Sequence, residues 1–217
     1  MAGNKGSWLK VIGIGPGHPS WLTPAAYEAV AQAEILVGGR RALALFAFLE
    51  REKRVIDGDL ESLRRFLESV RGRPTAVLVS GDPGLYSLLG WLKRHFPEEE
   101  IMVIPGISSV QLAFARLGCG WEEAIILSLH GRALSLLDPY LEGLAQERVL
   151  LALLTGGSNT PARVGEYLTS QGLGKVSLWV GAELGGPEER IEYLLAEELA
   201  CSDFPQAAVI IGGYRKK

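Results

Sequence analysis

Short apolar runs alternate with amphipathic segments along the whole chain, the pattern of an α/β protein whose strands are largely parallel. The run at 9–14 predicts a first strand that ends in the corner Gly13-Ile14-Gly15-Pro16-Gly17. Thr23 followed by Pro24 predicts a helix start. The hydroxyl can cap the first free amides, and proline suits the first helical position because its missing N–H would have been unbonded there anyway. That helix runs to about 33. Strands at 35–37, 55–56, 76–79 and 101–104 and helices at 40–49, 60–70 and 85–95 complete the first half. Pro105-Gly106 punctuates the chain and sets two domains, 1–105 and 106–217. The second half predicts helices at 108–117, 139–146 and 161–170 and strands at 124–127, 149–154, 176–180 and 207–211. A further strand and short helix fall between 191 and 199. The fold class is α/β, two α/β domains with mixed sheets of four to five strands each.

Composition narrows the classes. The chain has 217 residues, enough for two small cores, and its 47% hydrophobic and 22% charged content is that of an ordinary soluble globular protein. A net charge of −3 provides no basic footprint for nucleic acid and no cationic face for a membrane. Apolar runs such as 149–154 fall far short of the ~20 residues that span a bilayer. The opening MAGNKGS lacks the apolar core of a signal peptide, so a cytoplasmic protein is expected. Cys119, Cys201 and three histidines do not form the closely spaced ligand pairs of a zinc site. No metal is expected, and the cysteines read as buried and inert.

The candidate chemistry sits where apolar strands stop, which is where α/β sheets bind ligands. The first glycine corner fails the dinucleotide fingerprint, because His18 stands at its last position and the helix begins only at Thr23. What remains is a tight strand exit that a ligand can approach, or simply a turn. In Gly81-Asp82-Pro83-Gly84-Leu85, the Asp82 carboxylate can accept hydrogen bonds from amides or from a ligand, and the same residues also build an ordinary Asp-Pro-Gly turn. Ser108 and Ser109 either cap the following helix or turn their hydroxyls toward a ligand. His130, in Ser128-Leu129-His130-Gly131-Arg132, is a structural residue or a chemical one, and Arg132 is a solvated charge or a clamp for carboxylates. Glu183 follows another strand, while Glu188-Glu189-Arg190 reads as a solvated face. No nucleophile–base or zinc-protease order is present, and so little side-chain chemistry points to an activated cosubstrate.

Taken together, Gly13-Ile14-Gly15-Pro16-Gly17, Gly81-Asp82-Pro83 and Pro105-Gly106-Ile107-Ser108-Ser109 resemble the tetrapyrrole methylase family, in order and over residues 11–212. The stretch 105–116 with Ser128-Leu129-His130-Gly131-Arg132 resembles the branch that methylates carbon 5 of precorrin-6Y or cobalt-precorrin-7 in cobalamin biosynthesis. The resemblance implies two α/β domains with S-adenosylmethionine (SAM) in the cleft between them, leaving as S-adenosylhomocysteine. It also implies a corrinoid precursor as acceptor and a homodimer, with no nucleic acid or membrane partner. By position, the cosubstrate contacts would be Pro16, Gly81, Asp82, Gly84, Leu85, Ser108, Ser109, Leu154, Thr155, Ala182 and Ala208. The macrocycle would meet Gly15, Gly17 and Arg132, and His130 or Glu183 would take the proton the ring loses. Members of the family it resembles often carry an acid where this chain has Gly156 and tend to carry one where it has Ala182, with Glu183 next. The end at Lys217 is expected to leave no room for the second, carbon-15 methyltransferase fused in some relatives. The alternatives are a family member acting on another ring carbon, an RNA ribose or a modified elongation-factor histidine, or a non-catalytic nucleotide-binding module. The lack of a basic surface disfavours RNA, and the Ser-Leu-His-Gly-Arg element favours carbon 5.

Overall fold

A computed structural model describes residues 7–214. The readings made on the opening MAGNKGS and on the end at Lys217 therefore fall almost wholly outside the described residues. The chain divides into two compact units, Met1–Ser108 and Ser109–Lys217.

In the first unit, strands β1 (Leu9–Gly13), β2 (Ile35–Gly38), β3 (Glu52–Val55), β4 (Thr75–Val79) and β5 (Ile101–Ile104) form one sheet in the order β3-β2-β4-β1-β5. Every pairing is parallel. β1, β2 and β4 are buried along nearly their whole length, which is why they read as continuous apolar runs rather than alternating ones. Successive residues face opposite cores: Val11, Val37 and Val77 pack with Leu63, Leu67 and Phe96, while Ile12, Leu36 and Leu78 pack with Ala26, Val30 and Phe46. The covering helices are α1 (Pro24–Ala31), α2 (Arg40–Ala44), α3 (Leu60–Ser69) and α4 (Leu89–His95). Thr23 caps α1, its hydroxyl accepting from the Ala26 amide at 3.1 Å.

Three elements differ from the pattern reading. β3 begins at Glu52, three residues early, because it is an edge strand whose exposed Glu52 and Lys53 hide it from a search for apolar runs. α2 stops at Ala44 and the chain continues in turns. α4 begins only at Leu89, since residues 83–86 form a turn in which Tyr86 adopts a left-handed φ of 49°.

The second unit opens with α5 (Ser109–Leu117). Its strands β6 (Ile125–Ser128), β7 (Leu151–Leu154), β8 (Ser177–Ala182), β9 (Arg190–Leu195) and β10 (Ala208–Gly212) are ordered β6-β7-β10-β8-β9. Only β6–β7 is parallel; the β10–β7, β10–β8 and β8–β9 pairs are antiparallel. A buried apolar run carries no record of its neighbour's direction, so the sequence pattern does not show this change. The helices are α6 (Leu141–Ala145), α7 (Pro161–Ser170) and α8 (Ala196–Ala200). Thr160 caps α7 with Pro161 at its first position. Of the predicted helix at 139–146 only α6 is α-helical; the residues before it, Leu134–Tyr140, form a 3-10 turn containing Pro139. Leu129, Leu153, Val164, Leu168, Val180 and Ile210 form the core of this unit, and α5 packs against β10.

Both cysteines are exposed, not buried as expected. Each lies just beyond a helix end, Cys119 after α5 and Cys201 after α8, where the chain has already left the core. Among the described residues no helix is long and apolar enough to cross a membrane, and no group of three His, Cys, Asp or Glu side chains is arranged to hold a metal ion.

Candidate functional site

In the first unit the register aligns Gly13 with Val79 and Ile12 with Ile104, so the carboxyl ends of β1, β4 and β5 lie side by side. The loops leaving them touch backbone to backbone. Gly81 N donates to Gly15 O at 2.7 Å, and Gly15 N returns a longer bond to Gly81 O at 3.4 Å. A Cβ on Gly13 would stand 2.6 Å from both Gly106 N and Gly81 O, and one on Gly106 would overlap Gly81 O and Gly13. Only glycine permits this approach. Asp82 fastens the knot: one carboxylate oxygen accepts from Gly84 N at 2.7 Å, the other from Gly106 N at 3.1 Å. The structure thus brings Gly15, Gly81, Asp82 and Gly84 together, with Ser108 buried alongside, its Cα 3.5 Å from where a Gly81 Cβ would stand. Pro16, Gly17 and Leu85 lie on the same loops, Gly17 exposed and the other two half-buried. Gly106 was legible only as punctuation; nothing in the sequence shows that it carries the closest contact.

In the second unit Ser128 aligns with Leu154, Leu154 with Val209, and Ala208 with Ala182. The carboxyl ends of β6, β7 and β8 therefore share one end of the sheet with the start of β10. Thr155, buried at 7% exposure, joins them. Its amide donates to Ala208 O at 3.0 Å. Its hydroxyl donates to Gln206 O at 2.8 Å and accepts from Ala208 N at 2.9 Å. Of the residues predicted here, Leu154, Thr155, Ala182 and Ala208 are brought together at this end, and His130, Arg132 and Glu183 lie on the loops leaving it. Ser109 stands apart from them in sequence, as the first residue of α5.

Two tight turns carry the polar residues. In Leu129-His130-Gly131-Arg132 the Arg132 amide donates to Leu129 O at 3.2 Å, with Gly131 at φ 65°. In Gly156-Gly157-Ser158-Asn159 the end residues exchange backbone bonds of 3.1 and 3.2 Å. Asn159, 5% exposed, links the turns: its side-chain amide donates to Leu129 O and to Arg132 O, each at 2.6 Å. His130 and Arg132 are exposed. Sequence reasoning missed Asn159, because its reach to a segment 27–30 residues earlier leaves no trace in a one-dimensional pattern.

Glu183 follows β8 directly and adopts φ 46°, a left-handed conformation uncommon for a residue with a Cβ. The loop it opens is closed by Glu189, which accepts from Gly185 N at 2.6 Å and takes Arg116 in a two-pronged ion pair of 2.8 and 3.2 Å. The Arg116 guanidinium holds the Glu189 carboxyl below the usual carboxylate range, assisted by the Gly185 amide and opposed by partial burial. The run at 188–190 is therefore not a uniformly solvated face: Glu189 is a half-buried loop fastener. Its neighbour Arg190 pairs with Glu192 and Asp203 at 2.7 Å each and lies over the Phe204 ring.

Each unit thus gathers several strand exits at one end of its sheet, built from small residues, backbone groups and a few polar side chains. That arrangement suits a ligand held by main chain and turned over with little help from side-chain acids or bases. Comparison with known proteins agrees. A cobalt-precorrin-7 C(5)-methyltransferase of Salmonella typhimurium is 34% identical over 94% of this chain and 98% of its own length. A precorrin-6Y C(5,15)-methyltransferase (decarboxylating) of a Sinorhizobium species is 36% identical over 87% of this chain, which spans 45% of that longer protein. The crystal structure of a precorrin-6Y methylase from Archaeoglobus fulgidus superimposes with a TM-score of 0.73 at 26% identity, over 95% of this chain and 97% of that one. The pattern defining the tetrapyrrole (corrin/porphyrin) methylases matches residues 9–200, and the chain belongs to that family.

Proposed function

We propose that this chain methylates carbon 5 of cobalt-precorrin-7, or of the metal-free precorrin-6Y, in cobalamin biosynthesis. Family membership together with its C(5)-methyltransferase relatives makes it a SAM-dependent C-methyltransferase; the carbon and the acceptor are the proposal. The observation that carries it is the 34% identity to the Salmonella enzyme along nearly the full length of both chains. The same reading implies a homodimer at work in the cytoplasm, with no nucleic acid or membrane partner.

The strand exits fit such a cosubstrate. Gly17 lies at φ 103° with nothing within 4 Å of where its Cβ would stand, so the backbone of that corner is open to a ligand. The contacts proposed are Pro16, Gly81, Gly84, Leu85, Ser108, Ser109, Leu154, Thr155, Ala182 and Ala208. Asp82 contributes by shaping its loop, since both its oxygens already accept backbone N–H bonds. Gly15, Gly17 and Arg132 would meet the macrocycle, the guanidinium pairing with its acetate and propionate carboxylates.

When bound, SAM supplies an electrophilic methyl on sulfur and departs as S-adenosylhomocysteine. The protein's share is alignment, and holding two reactants near attack geometry can be worth ~7–11 kcal/mol. Once the carbon–carbon bond has formed, the ring sheds a proton, which His130 or Glu183 accepts. The test is mass spectrometry and NMR of the products formed from SAM with the cobalt-bearing and metal-free precursors. One methyl added at carbon 5 is expected. Methylation elsewhere on the ring would move the chain to another branch of the family, and no methylation of either precursor would end the reading. Replacing His130 by Ala should leave SAM affinity intact in calorimetry and slow turnover by ~100-fold; unchanged turnover removes His130 from the chemistry.

A further inference from the structure

We infer that Gly156 and Asn159 are positioning residues that seat the His130 imidazole over the exit of β7, leaving Nε2 as the ring nitrogen that receives the proton. The inference rests on the methyltransferase reading above and chooses between its two acceptors.

The first observation is an unneeded glycine. Gly156 is buried, yet its φ lies outside the left-handed region, unlike that of Gly157 beside it at 62°. The backbone at 156 would therefore accept a side chain. What excludes one is the His130 ring: a Cβ on Gly156 would overlap Nδ1 and lie 3.4 Å from both Cε1 and Cγ. The space left by the missing side chain is filled by an imidazole from a turn 26 residues earlier. Nδ1 is the nitrogen set against Gly156, and Nε2 lies beyond these nearest atoms.

The second observation concerns the turn that carries the ring. An exposed histidine on a two-residue turn ordinarily has several rotamers and a mobile backbone. Here the carbonyls on either side, Leu129 O and Arg132 O, are both bonded by the one buried Asn159 amide at 2.6 Å. Asn159 is itself fixed by its backbone exchange with Gly156. Clamp and seat thus belong to one four-residue turn, and displacing either displaces the other. A buried polar side chain costs free energy unless fully bonded, so packing alone would have favoured an apolar residue at 159. A clamp of this kind fixes one geometry, which a proton acceptor needs and a merely solvated histidine does not.

The experiment joins a spectroscopic arm to a kinetic one. The chain contains three histidines, so the His130 ring signals are assigned in NMR spectra by their loss in H130A. In G156A and in N159S the His130 signals should shift while those of His18 and His95 stay in place; unmoved His130 signals overturn the seat. In the kinetic arm G156A should lower kcat by ~10- to 100-fold, as a displaced catalytic group does, with the KM for the corrinoid and the affinity for SAM changed less than about twofold. In the H130A background G156A should have no further effect. An equal loss with and without His130 overturns the positioning role, because the damage would then run through the loop itself. H130A turning over at the wild-type rate overturns it too. If the wild type methylates neither corrinoid, the functional reading fails, and the NMR arm alone decides the seat.

Discussion

The two units bring strand exits to one end of a sheet by different means. In the first, all neighbours are parallel, and the exits of β1, β4 and β5 press backbone against backbone at Gly13, Gly81 and Gly106, with a single carboxylate as fastener. In the second, β10 starts among the ends of β7 and β8, leaving the N–H and C=O groups of an incoming strand to be satisfied there. The Thr155 hydroxyl does it, bonding Gln206 and Ala208, and side chains also fasten the neighbouring loops: Asn159 bonds Leu129 and Arg132 after β6, and Glu189 bonds Gly185 and Arg116 after β8. A backbone knot has one geometry and tolerates no addition, whereas side-chain clamps can be exchanged one at a time. The adjustable half is the one that carries His130, Arg132 and Glu183.

The largest effect that sharpens this contrast is expected at Gly106. An Ala there forces its Cβ into Gly81 O and Gly13, with no flexible side chain to move aside, and should cost about 3 kcal/mol in denaturant unfolding. Gly156→Ala meets only an exposed ring and should cost well under 1 kcal/mol. Similar losses at the two sites would erase the distinction between knot and clamp.

Next comes Asp82→Ala, which strands the Gly84 and Gly106 amides. A loss of about 1–3 kcal/mol and weaker SAM binding by calorimetry are expected. Lost stability at normal SAM affinity would confine Asp82 to the fold. Thr155→Val should cost about 1–2 kcal/mol by leaving the buried Ala208 amide without its hydroxyl acceptor, and Thr155→Ser should restore most of it. A serine variant no better than valine would mean that the methyl group, not the hydroxyl, holds the strand start.

How much of this was legible follows the same division. The apolar runs marked the central strands β1, β2 and β4 because burial on both faces leaves no polar residue to break them. Thr23-Pro24 marked a helix start, since capping is a local event; Thr160 plays the same part before Pro161. The glycine corners were visible as corners. Their mutual contact was not, because Gly13 and Gly106 lie far apart in the chain and a glycine does not advertise its neighbour. In the second unit Asn159 drew no notice and Glu189 read as part of a solvated face, since a clamp is defined by its distant partner. Strand direction was equally silent: β10 reads like β7, yet runs against it.

The smallest effect is electrostatic, and its sign is fixed. Arg116 depresses the Glu189 pKa below its ordinary value of 4.5 in the folded protein. The pair therefore stabilises the fold fully above that value, and its contribution is lost as the pH falls through the lower folded value. Arg116 stays charged throughout and adds no second transition. Both side chains are partly exposed, at 38% and 22%, so the contribution should be no more than about 1 kcal/mol and should shrink in high salt. The measurement is the stability difference between wild type and Glu189→Gln from pH 7 down to about pH 3. It should be constant near neutrality and vanish in acid. Glu100, held low chiefly by Arg71 and then by the Trp8 indole, predicts the same course for Glu100→Gln in the first unit. The two should part in function: loosening Glu189 frees the Glu183 loop and should slow methyl transfer, whereas Glu100 fastens Trp8 and Arg71 at the amino ends of β1 and β5, away from the strand exits, and should leave turnover unchanged. Equal turnover in the two variants would deprive the second unit of its special claim to the chemistry.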